Sequence, residues 1–484
     1  MNVKVVSRNV GFALLVSALF MLLSIFVSIA GGNDSALAAL LISFTITFTV
    51  GIFPFIFVTK SSEITMKDGY MIIVLSWLLS FIFGMLPYAL WGGPFTIVNA
   101  WFESVSGFTA TGATILDDIE ALPNSLLFWR SSTHFIGGLG VVVFLLLVIP
   151  GSSQMKLRLT NMELSSLSKH EYKSRANKTI YIFTYVYFGI LAASFLCYLL
   201  AGMSPFDAIN HAMSVTATGG FSTKNLSIGA FDSVPIDLIT MFFMLVSSVH
   251  YGMVFMVFAT RSLAPLKNEI FKYYIIFLTV TSIVVSVSLK ANGIEAEWGR
   301  SFLSGFFHII SYATTTGFGI ADNAYWPALP SAMLLFVGIW CGMAGSTSGG
   351  VKFDRAILLC KEIKYRLKTV LHPASINEIR INRRVIRQED ALPHVLYISL
   401  YLLMFLVSVA ISLMIDGHGA HAFYATLTTL SNVGPAIGDL GTCGSYAAEA
   451  AGAKLMYTFN MFFGRIEIYP VLAVGMMLFS RSKH

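Results

Sequence analysis

Four short segments hold the residues whose types and spacing could do chemistry. They are Thr109-Ala110-Thr111-Gly112, Thr216-Ala217-Thr218-Gly219, Thr314-Thr315-Thr316-Gly317 and Ser431-Asn432-Val433-Gly434. Aligned on their glycines, they lie 107, 98 and 117 residues apart. A polar residue recurs a little over two helical turns ahead of each segment's glycine, at Ser104, His211, His308 and Thr426. A small or hydroxylated residue lies about one turn further on, at Gly107, Ser214, Ser311 and Thr429. No carboxylate stands within the four tetrapeptides. What such segments can supply is backbone carbonyls, which replace the hydration shell of a monovalent cation such as K⁺. Glycine admits the backbone angles that an inward row of carbonyls needs. Threonine adds a hydroxyl that can coordinate the ion or pin the loop.

The elements that must position these segments follow from composition. Of the 484 residues 56% are hydrophobic and only 12% charged, with a mean hydropathy of +0.75. That balance excludes an ordinary soluble domain, which is about one-quarter charged. It makes the net charge of +6 a poor sign of nucleic-acid binding, and no nucleic-acid partner is expected. Apolar runs predict ten membrane spans, at 10–31, 37–59, 69–91, 126–149, 178–201, 236–259, 271–290, 328–343, 393–415 and 454–479. The first follows Lys4 and Arg8 and could pass for a signal peptide, but its length reads as an uncleaved helix. Four further segments, 95–112, 204–219, 301–317 and 419–434, are too short to cross and read as re-entrant helices ending in the glycine loops. Placing both termini in the cytoplasm puts 25 of the 31 basic residues in cytoplasmic segments, chiefly 151–178 and 351–390. All four short segments then lie on the outer side. Each would aim its C-terminal partial negative charge at a shared cavity, where a cation gains from it. Irregular backbone at membrane depth is allowed where it lines such a cavity. Small residues also serve plain helix packing. One such segment would mean no more than that; four in register on one side mean a pathway.

Two other features sit at membrane depth. From Ala328 to Thr369 the chain could be one helix but for Gly342–Gly350, which packs four glycines and three hydroxyl residues into nine positions. The break reads as a functional loop below the third segment, with a glycine helix cap as the bland alternative. The lysine spacing after Gly345 does not fit a phosphate-binding loop. Arg465 lies inside the last span, and an intramembrane charge points to function or to a buried ion pair. Glu467 cannot share its helix face, so a partner must come from another helix. Arg130 is expected to snorkel to the interface, with Glu103 a weaker candidate partner, and His134 lies four residues on. Cys197, Cys341, Cys360 and Cys443 have no metal spacing and read as free thiols. No HExxH or GxSxG occurs, so no enzymatic activity is expected.

The four glycine segments, Gly342-Met343-Ala344-Gly345-Ser346-Thr347-Ser348-Gly349-Gly350 and Gly464-Arg465-Ile466-Glu467 together resemble the Trk/Ktr/HKT superfamily of K⁺ transporters, and its TrkH branch in particular, over about 68–480. The resemblance implies an all-α integral membrane fold of four membrane–pore-helix–membrane repeats around a pseudo-fourfold pore, plus two N-terminal transmembrane helices. On that pattern 1–67 holds the two added helices. The pore repeats are 68–155, 156–262, 263–385 and 386–484, the third carrying the glycine-rich loop. The sixteen residues quoted first would be the K⁺ filter. Gly342, Gly345, Ser346, Thr347, Ser348, Gly349 and Gly350 would gate it, and Arg465 would be a positive barrier beneath. A glycine in every filter goes with K⁺ preference in this family; the fourth filter departs in having Asn432-Val433 for a threonine pair and Pro435 after it. The implied function is gated, channel-like uptake of K⁺ and Rb⁺ across a bacterial inner membrane, with proton- or Na⁺-coupled symport as the alternative. K⁺ is the transported ion, and no organic cofactor is expected. Implied partners are a second copy in a homodimer, membrane lipid and a cytoplasmic ring of nucleotide-binding TrkA-type regulators. The ten Lys/Arg residues of 352–387 suit the regulator or anionic lipid.

Overall fold

In the computed structural model, the described residues are 2–59, 65–140, 176–373, 378–382, 384–386, 388–417, 419–466 and 468–479. Most of the basic run 151–178, the far end of the expected span 126–149 and Glu467 lie outside them. The fold is helical. Two long helices, α1 (Val3–Ala30) and α2 (Leu37–Phe57), pack side by side at the N-terminus. They close tightly where Gly11 and Gly51 meet: a Cβ on Gly11 would stand 2.6 Å from the Gly51 carbonyl oxygen. α1 also lies against α3 (Met66–Gly84) and α6 (Asn124–Leu139), which joins the pair to the rest of the bundle. α3 opens with a capping box, Thr65 and Asp68 each bonding the other's backbone N–H.

The remaining elements repeat one pattern. Short helices α5 (Ile97–Phe108), α8 (Pro205–Ala217), α12 (Trp298–Ala313) and α16 (Gly419–Leu430) each pack between a preceding and a following helix. Their flanks are α3 and α6; α7 (Ala176–Leu200) and α9 (Val234–Ser248); α11 (Glu269–Ala291) and α13 (Ala328–Ile339); and α15 (Gln388–Asp416) and α17 (Ala451–Ile466). α4 (Leu86–Trp91) continues α3, α14 (Phe353–Leu371) follows the glycine-rich loop, and α18 (Ile468–Phe479) ends the described chain. Among the described residues six helices are long and apolar enough to cross a membrane, or seven if the bent pair Val234–Ser248 and Tyr251–Thr260 is one span. Thr96 and Ser204 cap α5 and α8 by accepting the backbone N–H groups of Asn99 and Asp207, so two of the short helices start on sequence signals.

Two expectations are corrected here. The span expected at 236–259 is not straight: α9 and α10 (Tyr251–Thr260) are bent by 104° at their junction. The cause lies in the glycine-rich loop. Met343 N–H donates to the Ser248 carbonyl at 2.8 Å, and Tyr251 N–H donates to the Gly345 carbonyl at 3.0 Å. Groups that a continuous helix would have bonded internally are taken here by another loop. His250 Nδ1 accepts from Gly252 N–H at 3.0 Å and starts the second half. The second correction is an addition. A small antiparallel hairpin, β1 (Ile379–Ile381) with β2 (Arg384–Ile386), follows α14. It is tied to the start of α11: Glu269 accepts from Lys361 Nζ at 2.5 Å and from Asn382 N–H at 3.0 Å.

Candidate ion pathway

The four short helices end in the same way. Ala110, Thr218, Thr315 and Asn432 all adopt left-handed backbone, with φ of 50, 54, 56 and 57°. Each donates its N–H to the carbonyl three residues back, and the following residue donates to the carbonyl five back, at 2.9 Å in every copy. This is a Schellman helix stop, whose left-handed position normally falls to glycine. Here four non-glycine residues hold it, at about 1 kcal/mol each. Two residues beyond comes a glycine with φ of 83° at Gly112, 84° at Gly220, 78° at Gly317 and 88° at Gly434.

The sequence alignment is therefore corrected by one residue in the second segment. Gly220, not Gly219, stands where Gly112, Gly317 and Gly434 stand, and the matching tetrapeptide is Ala217-Thr218-Gly219-Gly220. Thr216 falls one place upstream, near the helix end, where its carbonyl accepts from Thr347 Oγ1 at 3.2 Å. A better signal was in the sequence. Glu103, His211 and His308 each lie nine residues before the structural glycine, and Ser106, Ser214, Ser311 and Thr428 each lie six before it. The adjacent pair Gly219-Gly220 hid that spacing.

The four segments meet in a closed ring. A Cβ on Gly112 would stand 2.2 Å from the Gly219 carbonyl oxygen; on Gly220, 2.0 Å from that of Thr316. On Gly317 it would stand 2.3 Å from the Val433 oxygen, and on Gly434, 2.2 Å from the Thr111 oxygen. Every ring glycine thus abuts the carbonyl just before the next segment's glycine, and the fourth returns to the first. Fourfold backbone symmetry survives the Asn432-Val433 departure. The Asn432 side chain instead adds a strut, with Nδ2 2.9 Å from both Thr111 Oγ1 and the Met461 carbonyl. Gly112, Gly220, Gly317 and Pro435 share the lining of one open cavity with loop residues that include Asp117 and Lys224.

The glycine-rich loop is packed against this ring. It is buried except for partial exposure at Ser346. Gly349 N–H donates to Thr315 Oγ1 at 2.9 Å, and a Cβ on Gly349 would stand 2.7 Å from that of Asn432. Thr347 Oγ1 lies 3.2 Å from the Thr216 and Ser247 carbonyls, and Ala344 N–H donates to Asp354 at 2.6 Å. Gly342, Gly345, Ser348 and Gly350 complete the buried turn, Gly345 and Gly350 with positive φ. Arg465 donates to the Thr347 carbonyl from beneath, and through Nη2 to the carbonyls of Gly137 at 3.0 Å and Gly138 at 3.2 Å. It therefore clamps the loop to the end of α6. The second and third glycine segments, α6 and α17 all converge on this one loop.

The TrkH family, described as cation transport proteins, matches residues 37–481. The chain belongs to the TrkH family. A potassium uptake protein TrkH of Salmonella typhimurium is 32% identical over 427 residues, covering 87% of this chain and 88% of its own length. A TrkG potassium uptake protein of Escherichia coli is 32% identical over 496 residues, covering 99% of each chain. The crystal structure of the potassium transporter TrkH from Vibrio parahaemolyticus superposes with a TM-score of 0.88 at 29% identity, covering 98% of both chains. A multi-pass helical membrane protein follows from the family and the helices together.

Behind the ring of this family member, three of the short helices bond the segment that follows their own glycine. His211 Nε2 lies 2.9 Å from Ser222 Oγ, and His308 Nε2 lies 3.1 Å from the Ala321 carbonyl. Their Nδ1 atoms lie 2.8 and 2.9 Å from carbonyls four residues back, at Asp207 and Ser304, so both rings are packing struts. In the first repeat Glu103 takes this place and pairs with Arg130, Nε to Oε1 at 2.6 Å. Arg130 does not snorkel; its side chain is 2% exposed. Burial of the pair was unreadable locally, because a lone arginine near a span end looks the same whether it reaches water or a carboxylate. Cys197, Cys341, Cys360 and Cys443 are free thiols.

Proposed function

We propose that this chain takes up potassium across the bacterial inner membrane through a gated, channel-like pore. The observation that carries the reading is the closed ring in which each glycine abuts the next filter's carbonyl. Carbonyls held against one another by backbone contacts keep a fixed spacing, and fixed spacing allows them to stand in for water around K⁺. K⁺ and Rb⁺ would shed water at Thr111, Gly219, Thr316, Val433 and the glycines that follow them. The buried loop 342–350 would be the closed gate, and Arg465 its clamp and a positive barrier to ions held below the ring. Both termini would be cytoplasmic, by the distribution of lysine and arginine. The chain would work as a homodimer, with a TrkA-type nucleotide-binding ring acting on the gate through the basic segment 352–387. Co-purification of such a ring in mild detergent checks that partner.

Flux into proteoliposomes of the purified protein, with K⁺, Rb⁺, Na⁺ and a clamped pH gradient, tests the reading. Downhill K⁺ and Rb⁺ flux, small for Na⁺ and indifferent to the pH gradient, is the expected result. Flux driven uphill by the gradient would make the protein a coupled symporter. Equal flux of all three ions would remove the filter.

A further inference from the structure

The four repeats are not braced alike, and the difference falls on one seam of the ring. Glu103 and Arg130 form an ion pair in which both side chains are at most 2% exposed. The carboxylate faces the strand leaving the first filter: Thr114 Oγ1 lies 3.0 Å from Oε1, and Ile115 N–H donates to Oε2 at 3.1 Å. The guanidinium faces the second filter. Its Nη1 donates to the Ser222 carbonyl at 3.1 Å, and it lies 3.5 Å from the centre of the Phe221 ring. Thr114 and Ser222 each follow their filter glycine by two residues, so the pair joins equivalent points of neighbouring filters. At Glu103's position the second and third repeats have neutral struts, His211 and His308, and the fourth has Ala425. A buried pair of opposite charges is costly to form, and it is no stronger support than a well-packed apolar pair. What it supplies is direction: charged hydrogen bonds to both strands fix their distance and angle.

Building on the potassium-pore reading, we propose that Glu103 and Arg130 are positioning residues for ion selectivity, holding the first and second filters at the spacing that favours K⁺ over Na⁺. Neither residue reaches the ion; both act through Thr114, Ile115 and Ser222. A pair that served stability alone would alter the amount of folded protein and leave the ion ratio untouched.

The test uses the full chain in proteoliposomes, with K⁺ and Na⁺ flux measured per folded protein. Three variants are compared. Glu103→Gln keeps shape and loses charge. Arg130→Lys keeps a charge beside Glu103 and loses the fork that reaches Ser222. The double variant Glu103→Leu with Arg130→Met removes both charges, so neither is left buried and alone. The expected result is normal folding of the double variant with a K⁺/Na⁺ ratio about tenfold lower, and a smaller fall in Arg130→Lys. Arg300→Gln, which breaks only an exposed pair with Asp232 away from the ring, keeps the ratio. Wild-type ratios in folded Arg130→Lys and in the folded double variant would overturn the proposal. So would failure of all three variants to fold, which would make the pair structural. A wild-type protein with no K⁺ preference would instead overturn the pore reading itself, before any variant is compared.

Discussion

The glycine ring and the loop beneath it are built on opposite principles. The ring is one local solution used four times: a Schellman stop with a non-glycine left-handed residue, then a glycine with φ near 80°. Its contacts are backbone on backbone, and each copy leans on the next. The loop 342–350 occurs once, and its bonds go to unlike partners: a threonine hydroxyl, helix-end carbonyls, an aspartate and an arginine. On the proposed function, repetition would set where an ion can sit. A single asymmetric insert can change whether the path is open without changing the sites. If that division is right, variants in the ring shift ion preference, and variants at the loop shift rate.

The largest effect is expected at Gly220. A Cβ there would stand 2.0 Å from the Thr316 carbonyl oxygen, and φ of 84° is strained for any side chain. Gly220→Ala should lower the K⁺/Na⁺ flux ratio by about a hundredfold. Gly219→Ala makes a sharper comparison. Its Cβ would strike the His134 ring, 2.2 Å from Nδ1, rather than backbone. Trimming that ring with His134→Ala should restore Gly219→Ala to within about threefold of the His134→Ala protein, and should do nothing for Gly220→Ala. Rescue of both, or of neither, would return the second filter to the register aligned on Gly219.

That pair of variants also shows what was legible in sequence. Six of the ten expected spans, the four short helices and the interruption at 342–350 all follow from length, hydropathy and glycine content, which are local. The register of the second filter was not local, because two adjacent glycines satisfy the same pattern and only backbone angles separate them. The bend between α9 and α10 was hidden for a related reason. Nothing in 236–259 forbids a straight helix; the bonds that break it come from Met343 and Gly345, about a hundred residues on. Arg465 was recognisable as a charge in a span, but its carbonyl partners at 137, 138 and 347 required the fold.

Arg465→Ala should have the second-largest effect, and on rate. It removes charged hydrogen bonds to three carbonyls that hold the loop against α6. Such bonds are each worth about 1.5–3 kcal/mol, and water in the vacated space would recover part of that. A net loss of about 2 kcal/mol would raise basal K⁺ flux about thirtyfold if the loop is a two-state gate. The K⁺/Na⁺ ratio should stay near wild type, since no filter residue is touched. Unchanged flux in properly folded protein would remove Arg465 from the gate, and a collapsed ratio would break the division between the two regions.

The smallest effect is expected where the two regions meet. Thr315 belongs to the third segment of the ring, yet its hydroxyl oxygen accepts the Gly349 N–H of the loop at 2.9 Å. Thr315→Val keeps the β-branched shape in the same left-handed backbone and deletes only that acceptor. One neutral hydrogen bond is worth about 1 kcal/mol net, so basal flux should rise about fivefold. Thr315→Ser keeps the oxygen and should stay near wild type. Because the backbone carbonyls are unaltered, the ion ratio should move by less than about twofold in either variant. A ratio that falls as steeply as the rate rises would show that loosening the loop deforms the ring. Filter and gate would then be one mechanical unit, and the contrast between repeated and single-copy structure would no longer separate selectivity from control.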